Sequence, residues 1–260
     1  MEKVKKEKQY KVRKRSKYYK GWYRFLRRLV RFFLYPFFPT TVLGQQNIPL
    51  DGKYIMAGNH RSGMDVFAIG LNTTDYKHFI SKEEHLRVGI LRWLFAKIDV
   101  FTVKRGKADM NCMRNVISAL GKNEPIVIFP EGTRNKNADE ELLALKNGTV
   151  LFAYKTGAAI VPFFIYRCPK IFRRNYVYIL PSFPLSDGPQ NGIVDRSKLD
   201  EGALLIRDKL EEGQNYLEKV IRNKRVRKVR QEDKKIAKKL KKQYKISQKN
   251  MKNSEKGQSV

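Results

Sequence analysis

The chain has 260 residues, 42% of them hydrophobic, with 55 Lys/Arg against 25 Asp/Glu and a formal net charge of +30. That length suits one sizeable core with terminal appendages, and the apolar share fits a globular centre. Two cysteines, Cys112 and Cys168, are too few for a disulfide framework and fit a reducing compartment; no Cys/His cluster has zinc spacing, so no metal is expected.

Residues 1–31 carry 14 Lys/Arg against 2 acids and residues 218–260 carry 17 against 4, which leaves the middle of the chain close to balance. Cationic ends of this kind attract polyanions, either nucleic acid or an anionic membrane surface. Residues 1–20 lack apolar periodicity and read as a basic arm. They open with charges rather than with an apolar core and cleavage site, which is not the pattern of a secretory signal.

A helix is predicted next, in "GWYRFLRRLVRFFLYPFFPTTVLG". Trp22, Phe25, Leu26, Leu29, Phe32 and Phe33 recur at helical spacing, and Arg24, Arg27, Arg28 and Arg31 repeat the same steps on another face. Pro36 and Pro39 end it, well short of the roughly 20 apolar residues that span a bilayer. Such a stripe can pack on the protein's own core or lie in a membrane interface, and the arginines favour the interface.

The centre alternates strand and helix signals. "YIMAG", "HFIS", "VFTV", "PIVIF", "AAIVPFFI" and "NYVYIL" read as strands, with "DVFAIGLN", "LRVGILRWLFAK", "ADMNCMRNVISALGK" and "GTVLFAYKTG" as helices between them. The alternation predicts an α/β fold with a largely parallel central sheet flanked by helices. Ligands then bind at the carboxyl ends of the strands. "GNHRSGMD" and "FPEGTRN" each follow a strand directly, so both are expected on one rim. "EGALLIRDKLEEGQNYLEKVI" makes a further helix, and the remainder, with little to bury, reads as a solvated basic helix fraying into disorder.

In the first of these loops Asp65, five residues after His60, can fold back to hold the ring's tautomer and leave the other nitrogen as a general base. No Ser or Cys there has a nucleophile-elbow pattern, and Ser62 reads as a helix cap, which suggests the substrate's own hydroxyl as the attacking group; a histidine satisfied within its turn is the bland alternative. In the second, Glu131, Gly132, Thr133 and Arg134 stand in succession. Glycine lets a ligand approach the backbone, threonine can hydrogen-bond, and arginine can fork onto a phosphate. Glu131 can bind sugar- or glycerol-type hydroxyls or hold the arginine; a charged turn with an internal Glu–Arg pair is the bland alternative. Lys104 and Arg105 in "FTVKRGK" offer further cations.

Asn59-His60-x4-Asp65, "VFTVKR", "FPEGTR" and "IVPFFI", in this order and separation, resemble the glycerolipid acyltransferases, above all those acting on 1-acyl-glycerol-3-phosphate to make phosphatidic acid. The resemblance covers about residues 42–185, with one departure, Asp99, where a glycine commonly precedes the second block. It implies that His60 takes the proton of the acceptor hydroxyl and Asp65 orients it. Arg105, Glu131, Gly132, Thr133 and Arg134 would bind glycerol phosphate, with Lys104 beside them. Pro162, in the fourth block, would contact the acyl donor or serve structure. The implied reaction is attack of the sn-2 hydroxyl on an acyl thioester of acyl carrier protein or coenzyme A, with no covalent acyl-enzyme and no metal or redox cofactor.

The expected organisation is a basic arm and amphipathic membrane-binding helix over residues 1–41, an acyltransferase α/β domain over 42–222, and a basic, partly helical or disordered tail over 223–260. The expected setting is peripheral, at the cytoplasmic face of the cell membrane, with anionic lipids and lysophosphatidic acid as partners. An acyltransferase for another lysolipid or for glycerol-3-phosphate itself is one alternative, since the motifs are shared across those activities; a nucleic-acid-binding protein is the rival reading of the charge. It shows no recognisable binding-fold signature and leaves "NHRSGMD" and "FPEGTR" unexplained.

Overall fold

The structure, a computed structural model, describes residues 17–73, 77–82, 100–103, 109–135, 142–185 and 195–257. Its strands are β1 (Thr40–Leu43), β2 (Tyr54–Gly58), β3 (His78–Lys82), β4 (Phe101–Val103), β5 (Ile126–Ile128), β6 (Ala159–Ile165) and β7 (Asn175–Ile179). They form one sheet in the order β1-β7-β6-β2-β5-β3-β4. All neighbouring pairs are parallel except β6 with β7. The expected α/β fold with a largely parallel sheet is therefore present. Strand β1 was not foreseen, and it crosses the expected domain start at residue 42.

Helices α1 (Lys17–Leu34), α2 (Asp65–Gly70), α3 (Met110–Gly121), α4 (Gly148–Thr156), α5 (Arg196–Arg222) and α6 (Val226–Gly257) accompany the sheet. The expected helix "LRVGILRWLFAK" lies outside the described residues. Because both faces are covered, the central strands are apolar throughout rather than alternating. On one face Ile55, Ile126, Ile160 and Phe164 share a core with Val116, Leu120, Val150, Ile206 and Leu210 of α3, α4 and α5. On the other, Met56, Val127, Val161 and Phe163 meet Ala68 and Ile69 of α2. Asp109 caps α3, accepting from the amides of Asn111 (3.1 Å) and Cys112 (3.0 Å). Burial, and then Asp109, push the Cys112 thiol up to about 11, so it remains a protonated core group.

Pro162 stands inside the buried strand β6, where a missing N–H is usually excluded. Phe164 pairs with Tyr178 and Ile160 with Phe183, so the partner chain holds one extra residue between the two contacts. Proline sits at this bulge, with its carbonyl accepting from Leu180 (2.9 Å). Of its two expected roles, the structural one accounts for its position.

Helix α1 divides the predicted stripe. Tyr23 and Leu26 are buried and Val30 is half-buried, against Val66, Phe67 and Phe79 beside α2, whereas Phe25, Leu29, Phe32 and Phe33 face outward. The arginine row divides too: Arg27 turns in to donate to the Thr73 carbonyl, while Arg24, Arg28 and Arg31 stay exposed. The packing reading thus holds for Tyr23, Leu26 and Val30, while Phe25, Leu29, Phe32 and Phe33 are left exposed.

The chain end differs from the expected solvated tail. Helix α6 is continuous, and its first turns dock on the body, with Val229 buried against Leu43, Leu217 and Val220. The Asp233 carboxylate accepts from the Gly44 amide (2.7 Å) and the Gln46 side chain (2.6 Å), and the Tyr244 hydroxyl donates to Asp51 (3.0 Å). Two valines and an aspartate among many lysines were too sparse a pattern to read as packing.

Candidate active site

Adjacent parallel strands β2 and β5 end side by side, so the loops that follow them meet. At the end of β2, Gly58 has no room for a side chain, since a Cβ would come within 2.2 Å of the Phe163 ring. Asn59 then brackets Ile165 at the end of β6, its oxygen accepting from the Ile165 amide (2.7 Å) and its nitrogen donating to the Ile165 carbonyl (3.0 Å). Two strands are thereby clamped immediately before His60.

Helix α2 starts at Asp65, whose side chain is fully buried. One oxygen, Oδ2, accepts from the Arg61 amide (2.6 Å) and the Ser62 amide (2.7 Å) and lies 2.9 Å from His60 Nδ1. Two backbone donors hold the carboxylate in place, and this arrangement keeps the proton on Nδ1, leaving Nε2 as the basic nitrogen. Ser62 is not the helix cap that was expected: its hydroxyl accepts from the Met64 amide (3.2 Å) within the turn, and Met64, the residue at the cap position of α2, makes no side-chain cap. The imidazole stacks on Phe129, centroids 4.2 Å apart, and its side chain is 18% exposed. It is fixed on one side and open on another.

The second loop is tied to the first through the backbone of His60. The His60 amide donates to Glu131 Oε1 (3.1 Å), and the His60 carbonyl accepts from the Asn135 amide (2.7 Å). Glu131 therefore holds the histidine's backbone rather than pairing internally with Arg134. Its other oxygen, Oε2, is buried and has no partner among the described residues; the same is true of Asp65 Oδ1. Burial raises the Glu131 carboxyl above its ordinary range, against the His60 amide bond and the His60 and Arg61 charges, while Asp65 adds to the rise.

That raised value carries a sign. Folding favours the protonated acid, so its contribution to stability is present below the unfolded pKa and is lost as pH rises through the folded one. The melting temperature of Glu131→Gln relative to the wild type should therefore climb as pH rises through and above the ordinary carboxylate range, as followed by thermal denaturation. A constant difference would mean that the carboxyl titrates as it does in the unfolded chain.

Gly132 adopts φ +66, and its amide donates to the Phe129 carbonyl (3.0 Å). The Lys146 stem and ammonium cross over it, 2.8 Å from where a Cβ would stand; the left-handed backbone is what favours glycine, since the exposed lysine end could move aside. Thr133 and Arg134 are exposed on the rim, and Arg134 Nη1 lies over Gly63 of the first loop, 3.9 Å from the position of a Cβ there. The structure thus brings His60, Asp65, Glu131, Gly132, Thr133 and Arg134 together. Lys104, Arg105 and Asp99 lie outside the described residues. Lys146 was missed, because "LKNGT" carries no local sign of a cation laid across a glycine more than a dozen residues earlier. Among the described residues no group of three or more His, Cys, Asp or Glu could hold a metal ion.

An Acyltransferase family model matches residues 39–166. A chloroplastic 1-acyl-sn-glycerol-3-phosphate acyltransferase of Arabidopsis thaliana is 32% identical over 132 residues, 50% of this chain and 36% of that one. A Brassica napus protein of the same description is 31% identical over 50% of this chain and 38% of its own. The chain thus spans well under half the length of these relatives. The Bacillus subtilis 1-acyl-sn-glycerol-3-phosphate acyltransferase is 24% identical over 69% of this chain and 90% of its own. The crystal structure of the 1-acyl-sn-glycerophosphate acyltransferase from Thermotoga maritima superposes with a TM-score of 0.58 at 25% identity, covering 78% of this chain and 84% of that one. Sequence blocks, family model and shared fold converge on the same loops, and over residues 39–166 the chain matches the Acyltransferase family.

Proposed function

We propose that this chain transfers an acyl group from a thioester to the sn-2 hydroxyl of 1-acyl-glycerol-3-phosphate, giving phosphatidic acid for phospholipid synthesis. The observation that carries the reading is the buried Asp65 carboxylate 2.9 Å from His60 Nδ1, on a rim where Glu131 binds the same histidine's amide. The relatives above bear the name of this activity.

In the proposed reaction the acceptor oxygen attacks the thioester carbonyl carbon while His60 Nε2 takes the hydroxyl proton. Asp65 stabilises the imidazolium that forms. Collapse of the tetrahedral intermediate breaks the C–S bond, and the imidazolium returns its proton to the departing thiolate. No acyl group becomes attached to the protein. Glu131 Oε2, a buried acceptor in want of a donor, suits a hydroxyl of the glycerol backbone. Arg134, Thr133, the amide beside Gly132 and the Lys146 ammonium are assigned to the acceptor's phosphate, together with Lys104 and Arg105, which follow β4 in the sequence. The acyl donor is a thioester of acyl carrier protein or of coenzyme A.

No helix among the described residues is long and apolar enough to cross a membrane. The outward apolar residues of α1 and the basic ends favour a peripheral position on an anionic surface at the cytoplasmic face, where each cation adds about 1 kcal/mol of attraction.

The test is incubation of the purified chain with lysophosphatidate in vesicles and each thioester donor in turn, with mass analysis of the lipids. Phosphatidate bearing the donor's acyl chain is expected with at least one donor; a folded protein that makes none with either refutes the assignment. A narrower test concerns Arg134. Its replacement by Ala should raise the KM for lysophosphatidate roughly 10- to 100-fold and leave that for the thioester nearly unchanged, as loss of a charge-assisted contact predicts. A rise confined to the thioester would move this arginine to the other substrate.

A further inference from the structure

Ile171 and Phe172 form the tip of the turn from β6 to β7 and are 60% and 72% exposed. Phe172 also holds φ +58, a left-handed backbone conformation that bulky side chains rarely adopt. Glycine or asparagine would take this conformation more easily and would leave no apolar surface in water. Strain and exposure at one residue mark a tip shaped for contact with something outside the fold.

The tip is braced rather than loose. The Phe172 amide donates to the Phe37 carbonyl (2.6 Å), and the two rings lie 5.7 Å apart. Lys170 and Arg173 form an isolated bridge, Arg173 donates to the Cys168 carbonyl (2.9 Å), and Arg174 donates to Thr41 (3.2 Å). Phe37 is itself half exposed and follows α1 directly, so the tip continues the outward apolar strip of that helix. It also leaves β6 just after Ile165, the residue that Asn59 clamps beside His60. The tip and the candidate active site therefore share one rim.

Charge identifies the occupant. Arg167, Lys170, Arg173 and Arg174 flank the two apolar residues, and residues 166–175 contain no Asp or Glu. Two copies of this chain meeting here would bring like charges together, whereas an anionic bilayer offers phosphates for the cations and acyl chains for the apolar pair. We propose that Ile171 and Phe172 insert into the interface of an anionic bilayer as a second point of contact beside α1. The idea rests on the peripheral-membrane reading above. One helix lying in an interface leaves the body free to roll about its axis; a second contact off that axis sets the angle at which the His60 rim meets the lipid.

The experiment uses the full chain with Trp22 and Trp93 replaced by Phe, and Phe172→Trp as the one tryptophan fluorophore. It is mixed with phosphatidylcholine vesicles containing phosphatidylglycerol, with and without brominated acyl chains. A blue shift and bromine quenching are expected. In the native background Ile171→Ser with Phe172→Ser should lower vesicle partitioning about tenfold or more at an unchanged melting temperature. A Phe172→Trp protein that sediments with vesicles but is neither shifted nor quenched overturns the inference and leaves the membrane reading standing. A wild-type chain that does not bind these vesicles removes both. Concentration-dependent dimers abolished by the double substitution, with vesicle binding intact, would assign the tip to a second copy instead.

Discussion

His60→Ala is expected to lower acyl transfer by about 10²- to 10⁴-fold while the protein stays folded, since a positioned general base supplies that much rate. The geometry makes this variant the clean one. Removing the ring leaves Asp65 Oδ2 with its Arg61 and Ser62 amide donors, and both backbone bonds that tie His60 to Glu131 and Asn135 survive, because they use the main chain. Only the stack on Phe129 and the contact with Asp65 are lost. Asp65→Ala would be a poorer test: the buried Arg61 amide would lose its acceptor, at roughly 1–3 kcal/mol, the part-buried Ser62 amide would lose its own, and lost activity could then reflect a lost turn. Asp65→Asn keeps an acceptor oxygen and should be slow through loss of the imidazolium's stabilising charge. The measurement is single-turnover transfer to lysophosphatidate beside thermal melting. Near wild-type turnover in His60→Ala, at an unchanged melting temperature, would remove this histidine from the chemistry.

Much of this site was legible because it is local. His60 and Asp65 are five residues apart, so a turn that opens a helix suffices to join them, and residue types at that spacing carry the information. That the two loops meet was also readable, since each follows a strand and the fold class sends both to one rim. What stayed hidden depended on register and on side chains arriving from elsewhere. The job of Glu131, holding the amide of His60, follows from β2 lying beside β5 with Ala57 opposite Ile128, and no spacing announces it. The place of Lys146 follows from a left-handed glycine with empty space above it. Strand β1 escaped notice because four residues after Pro39 give no period to detect, and the docking of α6, though not its helical character, because its few packing residues are diluted in lysine. Helix α1 was half legible: periodicity marked the apolar residues but could not divide them, as both sets fall at helical steps.

That division makes the second large effect testable. Phe25→Ser, Leu29→Ser and Phe32→Ser together should detach the protein from anionic vesicles, lowering partitioning by about a hundredfold or more on the area that three such side chains bury. All three are exposed in the structure, with Phe32 at 74%, so their loss removes little packing from the body and should lower the melting temperature less than the loss of the buried pair. Tyr23→Ser with Leu26→Ser is the opposite case. Those two side chains are buried against the body, so that pair should melt several degrees lower, by the cost of emptying a packed position. Activity of the outer variant should fall on acceptor presented in vesicles and survive on a short-chain, water-soluble lysophosphatidate, because His60 and Asp65 are untouched. Flotation, melting and the two assays on the same preparations separate the outcomes. If the outer variant still floats with vesicles and melts early, the outward residues serve the protein's own stability, and the cationic ends alone must hold it to lipid.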